Sequence, residues 1–177
     1  MYIEREISRK TVYRGRIVDV RQDVVELYNG TSAGREVVAH PGGVCIVPVE
    51  PDGTCWLVRQ FRHPVSESLL EFPAGKLDPG EDPLACAVRE LSEETGLKAD
   101  NIISLGHIYP SPGYVTEVLH LFLAQGLTQG EAHPDENEFL SIERHHINDL
   151  LNMAAQSQIP DAKTLIGLYK TDAYLRR

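Results

Sequence analysis

Arg89-Glu90-Leu91-Ser92-Glu93-Glu94 places three carboxylates within five positions. On a helix turning by about 100° per residue, Glu90, Glu93 and Glu94 fall within one arc of roughly 100° and share a face. Like charges three and four residues apart repel, and more strongly where solvent is partly excluded. Arg89 can offset part of that repulsion, but one guanidinium cannot neutralise three converging carboxylates. A hard divalent cation can, and Mg²⁺ prefers a few carboxylates completed by water and phosphate oxygens. Isolated E-x-x-E-E runs are more often solvated acidic faces, so the surrounding sequence has to decide between the two.

Here the cluster lies inside Gly75-x5-Glu81-x7-Arg89-Glu90-Leu91-Ser92-Glu93-Glu94-Thr95-Gly96-Leu97. Seven of these positions demand one residue type each, which at ordinary usage gives a chance match on the order of 10⁻⁸ per window. The run is a complete Nudix box, and the chain resembles the Nudix hydrolases, which cleave a nucleoside diphosphate linked to another moiety. The resemblance implies that Glu90 and Glu94 are the principal Mg²⁺ ligands, with Mn²⁺ as an alternative ion. It implies that Glu93 is a further ligand or a charge stabiliser in catalysis, and that the Ala74 backbone carbonyl is another ligand. Arg89 can orient the glutamates and Glu81 can brace the loop. Divalent ions on a diphosphate offset its anionic oxygens and acidify the attacking water. A general base is still useful on a loop that lets substrate enter. In the polar stretch 131–138 the resemblance points to Glu136 or Glu138, with Glu138 preferred; read without the family, the stretch is a solvated surface loop.

The box implies a diphosphate but not what it is attached to. Tyr109-Pro110-Ser111-Pro112-Gly113 places Pro112 sixteen residues after Gly96, a pattern resembling the ADP-ribose pyrophosphatases. The segments Arg35-Glu36-Val37-Val38-Ala39-His40-Pro41-Gly42, Arg59-Gln60-Phe61-Arg62 and Leu70-Glu71-Phe72-Pro73-Ala74-Gly75-Lys76 resemble the bacterial members as well. Arg35 and Arg62 carry planar forks suited to a diphosphate, and Glu67 or Glu71 can accept ribose hydroxyls; surface ion pairing accounts for each equally well. Tyr13, Tyr28 and Tyr114 are available to stack on adenine. The resemblance also implies a homodimer in which amino-terminal strands of two subunits help build the adenosine site.

The expected activity is Mg²⁺-dependent hydrolysis of ADP-ribose to AMP and ribose 5-phosphate. The alternatives are a pyrophosphatase for another nucleoside diphosphate sugar such as GDP-mannose, and a sensor that binds the nucleotide without turnover. The intact set of acids in the box speaks against the sensor. His145-His146 point apart on a helix or a strand and read as structural. Cys86 has no evident histidine partner and reads as a small packing residue.

The elements that must hold these residues follow from periodicity and punctuation. Asp82 and Pro83 open a helix over 83–95 that Gly96 ends in the left-handed conformation. Leu84, Val88 and Leu91, at i, i+4 and i+7, are expected to pack it on a sheet, away from the acids. Residues 1–40 alternate as strands around Asn29-Gly30, and 44–49 with 55–61 suggest a second hairpin across Pro51-Asp52-Gly53. Further strands are expected at 102–108, 115–123 and 139–142. Gly126 to Glu138 reads as polar and flexible. Asn148 and Asp161 are expected to cap two terminal helices. The elements mix without regular β-α-β alternation, which predicts α+β. The resemblance makes this a Nudix-type mixed sheet sandwiched by helices with an amino-terminal antiparallel unit, divided into residues 1–40, expected to dimerise, and 41–177.

The composition agrees with this. The chain has 177 residues, 42% hydrophobic and 24% charged, as expected for one folded domain. A net charge of −9 disfavours nucleic-acid partners and leaves a small phosphate-bearing substrate as the expected one. Three cysteines without C-x-x-C spacing fit a reducing compartment. The first residues lack an apolar signal core, and no run approaches the roughly 18 apolar residues of a membrane span. A cytoplasmic protein is expected.

Overall fold

The computed structural model describes residues 2–132 and 139–177. It is a mixed α+β structure of ten strands and three helices among these residues, and it forms two compact units. One comprises the described residues up to Gly42 together with Tyr109–Val118; the other comprises Gly43–Ile108 and Leu119–Arg177.

The first unit is an antiparallel sheet in the order β1 (Arg5–Arg14), β2 (Asp19–Glu26), β3 (Ser32–Ala39). Asn29-Gly30 turns β2 into β3, with Gly30 at φ 82°. Every residue of β1 is exposed, and among the described residues it pairs along one edge, with β2. The loop 109–118 is fixed to the end of β3: the Val38 amide donates to the Tyr114 carbonyl at 2.7 Å and the Thr116 amide to the Val38 carbonyl at 3.0 Å.

The second unit contains two sheets. One has the order β7 (Ala74–Lys76), β4 (Gly43–Pro48), β9 (Leu119–Gln129), β8 (Leu97–Ile108); the other is β10 (Leu140–His146), β5 (Thr54–Arg62), β6 (Glu67–Glu71). Strand β4 is buried throughout, as a strand covered on both faces must be. Its side chains divide accordingly. Val44 and Ile46 join Cys86, Ala87 and Leu91 of α1 (Pro83–Thr95) in one core cluster. Cys45 and Val47 join Ile147 and Leu150 of α2 (Ile147–Ala155) and Leu168 of α3 (Ala162–Leu175) in the other. A mixed sheet between helices results, as expected.

Several local expectations need correcting. Strands β4 and β5 are not a hairpin. The Pro51-Asp52-Gly53 turn forms, but it supports only the bridge Val49–Cys55. β4 is already flanked by β7 and β9, so β5 pairs with β6 and β10 instead. Strand β8 begins at Leu97, β9 begins at Leu119, and residues 126–129 are strand, not flexible loop. His146, not Asn148, caps α2: its Nδ1 accepts the Asn148 amide at 3.2 Å. Leu84 and Val88 are 45% and 53% exposed, so they do not form the packing stripe of α1.

Candidate active site

Local sequence sets the ends of α1. The Asp82 carboxylate accepts the amides of Leu84 at 3.0 Å and Ala85 at 3.1 Å. Pro83 follows where no amide partner is needed. Gly96 ends the helix at φ 71°, returning its amide to the Ser92 carbonyl at 2.8 Å. The buried arc of the helix passes through Cys86, Ala87, Glu90, Leu91 and Glu94. Glu90 and Glu94 are only 9% and 3% exposed, so the acidic and core faces overlap. The small Cys86 and Ala87 side chains let the helix lie close to the sheet at this point.

Burying carboxylates is costly unless they are bonded, and here they are. Arg89 Nη1 donates to Glu90 at 2.7 Å and to Glu93 at 2.9 Å. The rest of its fork grips both oxygens of Glu81, each at 2.9 Å, and reaches the Lys76 carbonyl at 3.2 Å. Glu81 also accepts the Asp78 amide at 2.9 Å, which closes the loop before the helix. The hydrogen bonds from Arg89 are the largest influence on the Glu81 carboxyl, bringing it down to about 2. Glu94 accepts the Ala74 amide at 3.1 Å. At Gly75 a Cβ would lie 1.8 Å from Glu90 Oε1, so glycine is what lets this carboxylate lie against the backbone in its present position. The Cys86 thiol is pushed up to about 12, chiefly by burial, which suits a packing role and not a nucleophile.

The arrangement offers only hard oxygen donors: Glu90, Glu93, Glu94 and the Ala74 carbonyl. Counting Glu81 it carries four carboxylates, three of which, Glu81, Glu90 and Glu93, are bound by the Arg89 guanidinium. Among the described residues, no three His, Cys, Asp or Glu side chains are grouped around a single point, and Arg89 draws Glu90 and Glu93 toward itself. The donor chemistry and the glycine-lined approach at Gly75 nonetheless fit Mg²⁺.

The remaining candidates are placed differently. Arg62 is engaged by Glu71, which accepts from its Nε at 2.8 Å and its Nη2 at 2.7 Å and is 1% exposed. Glu67 lies exposed on β6, in register with Arg62. Arg35 and Pro112 belong to the other unit. Arg35 is half-buried and forks onto Glu4, one contact measuring 3.0 Å, while Pro112 is exposed in its turn. Glu136 and Glu138 lie outside the described residues. The sequence reading did not single out Lys163, which bonds to Glu71; its only local signal was the neighbouring cap residue Asp161.

The loop–helix–loop, with its buried glutamates, lies within residues 39–166, which match the NUDIX domain, so the chain belongs to the Nudix hydrolases. It also matches the nucleoside diphosphate sugar hydrolase N-terminal domain, over residues 4–38. It is 37% identical to an ADP-ribose pyrophosphatase of Bacillus subtilis, covering 93% of this chain and 90% of that one. It is also 37% identical to a methanol dehydrogenase activator of Bacillus methanolicus, covering 95% and 92%. A GDP-mannose pyrophosphatase of Yersinia enterocolitica is 36% identical, with 79% of each chain covered. Among solved structures, an ADP compounds hydrolase superposes with a TM-score of 0.87 at 26% identity, covering 98% of this chain and 94% of that one.

Proposed function

We propose that this chain hydrolyses the diphosphate of ADP-ribose, giving AMP and ribose 5-phosphate, with Mg²⁺ held by Glu90, Glu93, Glu94 and the Ala74 carbonyl. The observation that carries the reading is the burial of Glu90 and Glu94 beside Gly75, where a Cβ would displace the Glu90 carboxylate. The ADP-ribose pyrophosphatase relative, matched over nearly its whole length, supports the choice of substrate.

When bound, divalent ions supply positive charge that offsets the diphosphate and acidifies the attacking water. The protein supplies orientation. Arg89 fixes Glu90 and Glu93, Glu81 locks Arg89 to the preceding loop, and the Ala74 amide fixes Glu94. The family resemblance assigns the base to Glu138, or to Glu136 in its place. Arg35, Arg62, Glu67 and Pro112 are the proposed substrate contacts. The working form is a cytoplasmic homodimer joined through residues 1–40, with the catalytic domain at 41–177; the fully exposed β1 supports the interface.

The test is incubation with Mg²⁺ and ADP-ribose in oxygen-18 water. Release of AMP and ribose 5-phosphate, with label in one product, is expected. The second reading, favoured by the GDP-mannose pyrophosphatase relative, is cleavage of GDP-mannose; it replaces the first if that substrate is turned over and ADP-ribose is not. Tight binding of ADP-ribose without turnover would instead indicate a sensor.

A further inference from the structure

A second charged cluster lies outside the box, where strand β6 meets the start of α3. Glu71 is 1% exposed and receives the Arg62 fork together with the Lys163 ammonium. Lys163 also lies 3.0 Å from Asp161. Asp161 in turn accepts the Thr164 amide at 2.9 Å and its hydroxyl at 2.6 Å. Burial works against ionisation of Glu71, yet the Arg62 and Lys163 bonds hold its carboxyl below the usual value. Glu71, Lys163 and Asp161 are thus taken largely out of water, while the Arg62 fork stays partly exposed. Such a buried network is weak evidence for stability, because apolar replacements are often at least as stable.

The cluster's connections suggest what it does instead. Thr164, fully buried, accepts the Phe72 amide at 3.0 Å. One residue on, the Pro73 carbonyl accepts the Ile46 amide of β4 at 2.8 Å. At the next residue, the Ala74 amide donates to Glu94 of α1. Three consecutive residues are therefore fastened to three different elements. The helix has no slack here: at Gly167 a Cβ would come within 3.1 Å of Val47 and 3.7 Å of Phe72.

We infer that Lys163 and Thr164 are positioning residues, setting the Phe72–Ala74 backbone that presents the Ala74 carbonyl and orients Glu94. The inference rests on the proposed hydrolase reading, since it assigns these residues to the metal-holding loop of that site. Neither residue is among the proposed metal-holding groups or substrate contacts. Both act through main chain, as outer residues around metal sites do when they fix the ligands.

The experiment compares wild type, Lys163→Met, Thr164→Val and Thr164→Ser. Circular dichroism establishes folding, calorimetry measures Mg²⁺ binding without substrate, and steady-state assays give kcat and KM. Lys163→Met and Thr164→Val are expected to weaken Mg²⁺ binding and lower kcat by roughly 10- to 100-fold, as outer-shell changes do. KM for ADP-ribose is expected to change much less. Thr164→Ser keeps the hydroxyl and is expected to restore both quantities. Should Lys163→Met fail to fold, the near-isosteric Thr164→Val decides. A folded Thr164→Val with wild-type Mg²⁺ affinity and kcat overturns the inference, as does a Thr164→Ser variant equally impaired. Wild-type protein that neither binds Mg²⁺ nor hydrolyses a nucleotide sugar would instead overturn the hydrolase reading on which the inference stands.

Discussion

Glu94 and Gly75 show how a residue's chemistry depends on what lies beside it. Glu94→Gln keeps an oxygen that can accept the Ala74 amide and the same volume in a site 3% exposed, so the fold should survive. It loses the charge a divalent ion needs, and kcat should fall by roughly 100-fold or more. Gly75→Ala works in the opposite sense, leaving every acid in place but forcing the Glu90 carboxylate aside. That carboxylate ends a flexible side chain and can swing away. The loss should therefore appear in Mg²⁺ affinity and kcat more than in the melting temperature. Melting curves alongside Mg²⁺-dependent rates check both variants; an active Glu94→Gln would remove that residue from the metal set. The identities of these residues were legible because the box fixes spacing, and spacing fixes a helical face. Their burial was not, since nothing in the order of residues announces that Cys86, Ala87 and Gly75 leave room for carboxylates where an aliphatic stripe was expected.

At the scale of elements, the sequence was most readable where an element depends on its own residues. Asp82, Pro83 and Gly96 bound α1 as anticipated, and Asp161 caps α3 by accepting the Thr164 amide. The cap of α2 was misassigned because His146 accepts with a ring nitrogen, a less common capping group than the Asn two residues on. Strand pairing was less readable still. The 51–53 turn is a correct local reading, but which strands lie beside β4 is decided by residues 74–76 and 119–124, far along the chain. Because the cap is local, its energy can be isolated. Asp82→Ala should cost about 1 kcal/mol and lower the melting temperature by roughly 2–4 °C, leaving kcat within about twofold because the carboxylates lie toward the other end of the helix. Thermal denaturation followed in parallel with activity tests this; a large fall in kcat with little loss of stability would mean that the cap positions the glutamates directly.

For the whole molecule, the question raised by the first unit is what covers β1. All ten of its residues are exposed, Ile7 by 59% and Tyr13 by 58%, and among the described residues one edge is unpaired in the sheet order. An open edge of this length invites association, and proteins usually protect one with charge, bulges or a partner. Arg5, Arg9, Lys10 and Arg14 provide charge, and the register shifts beside Ile7 and Val12 provide irregularity. These devices discourage unlimited stacking, while the apolar side chains between them favour one specific contact, as expected of an interface. The proposed homodimer is that contact. Sedimentation equilibrium should therefore give twice the chain mass at micromolar concentration, and Ile7→Lys with Val12→Lys should shift it toward the monomer. If strands from both subunits build the adenosine site, specific activity should fall on dilution in step with dissociation, and the paired substitution should raise KM before it alters Mg²⁺ affinity, because all the assigned metal-holding groups lie in the second unit. A monomer with unchanged kcat and KM would sever the amino-terminal strands from catalysis and leave each subunit to complete its own site.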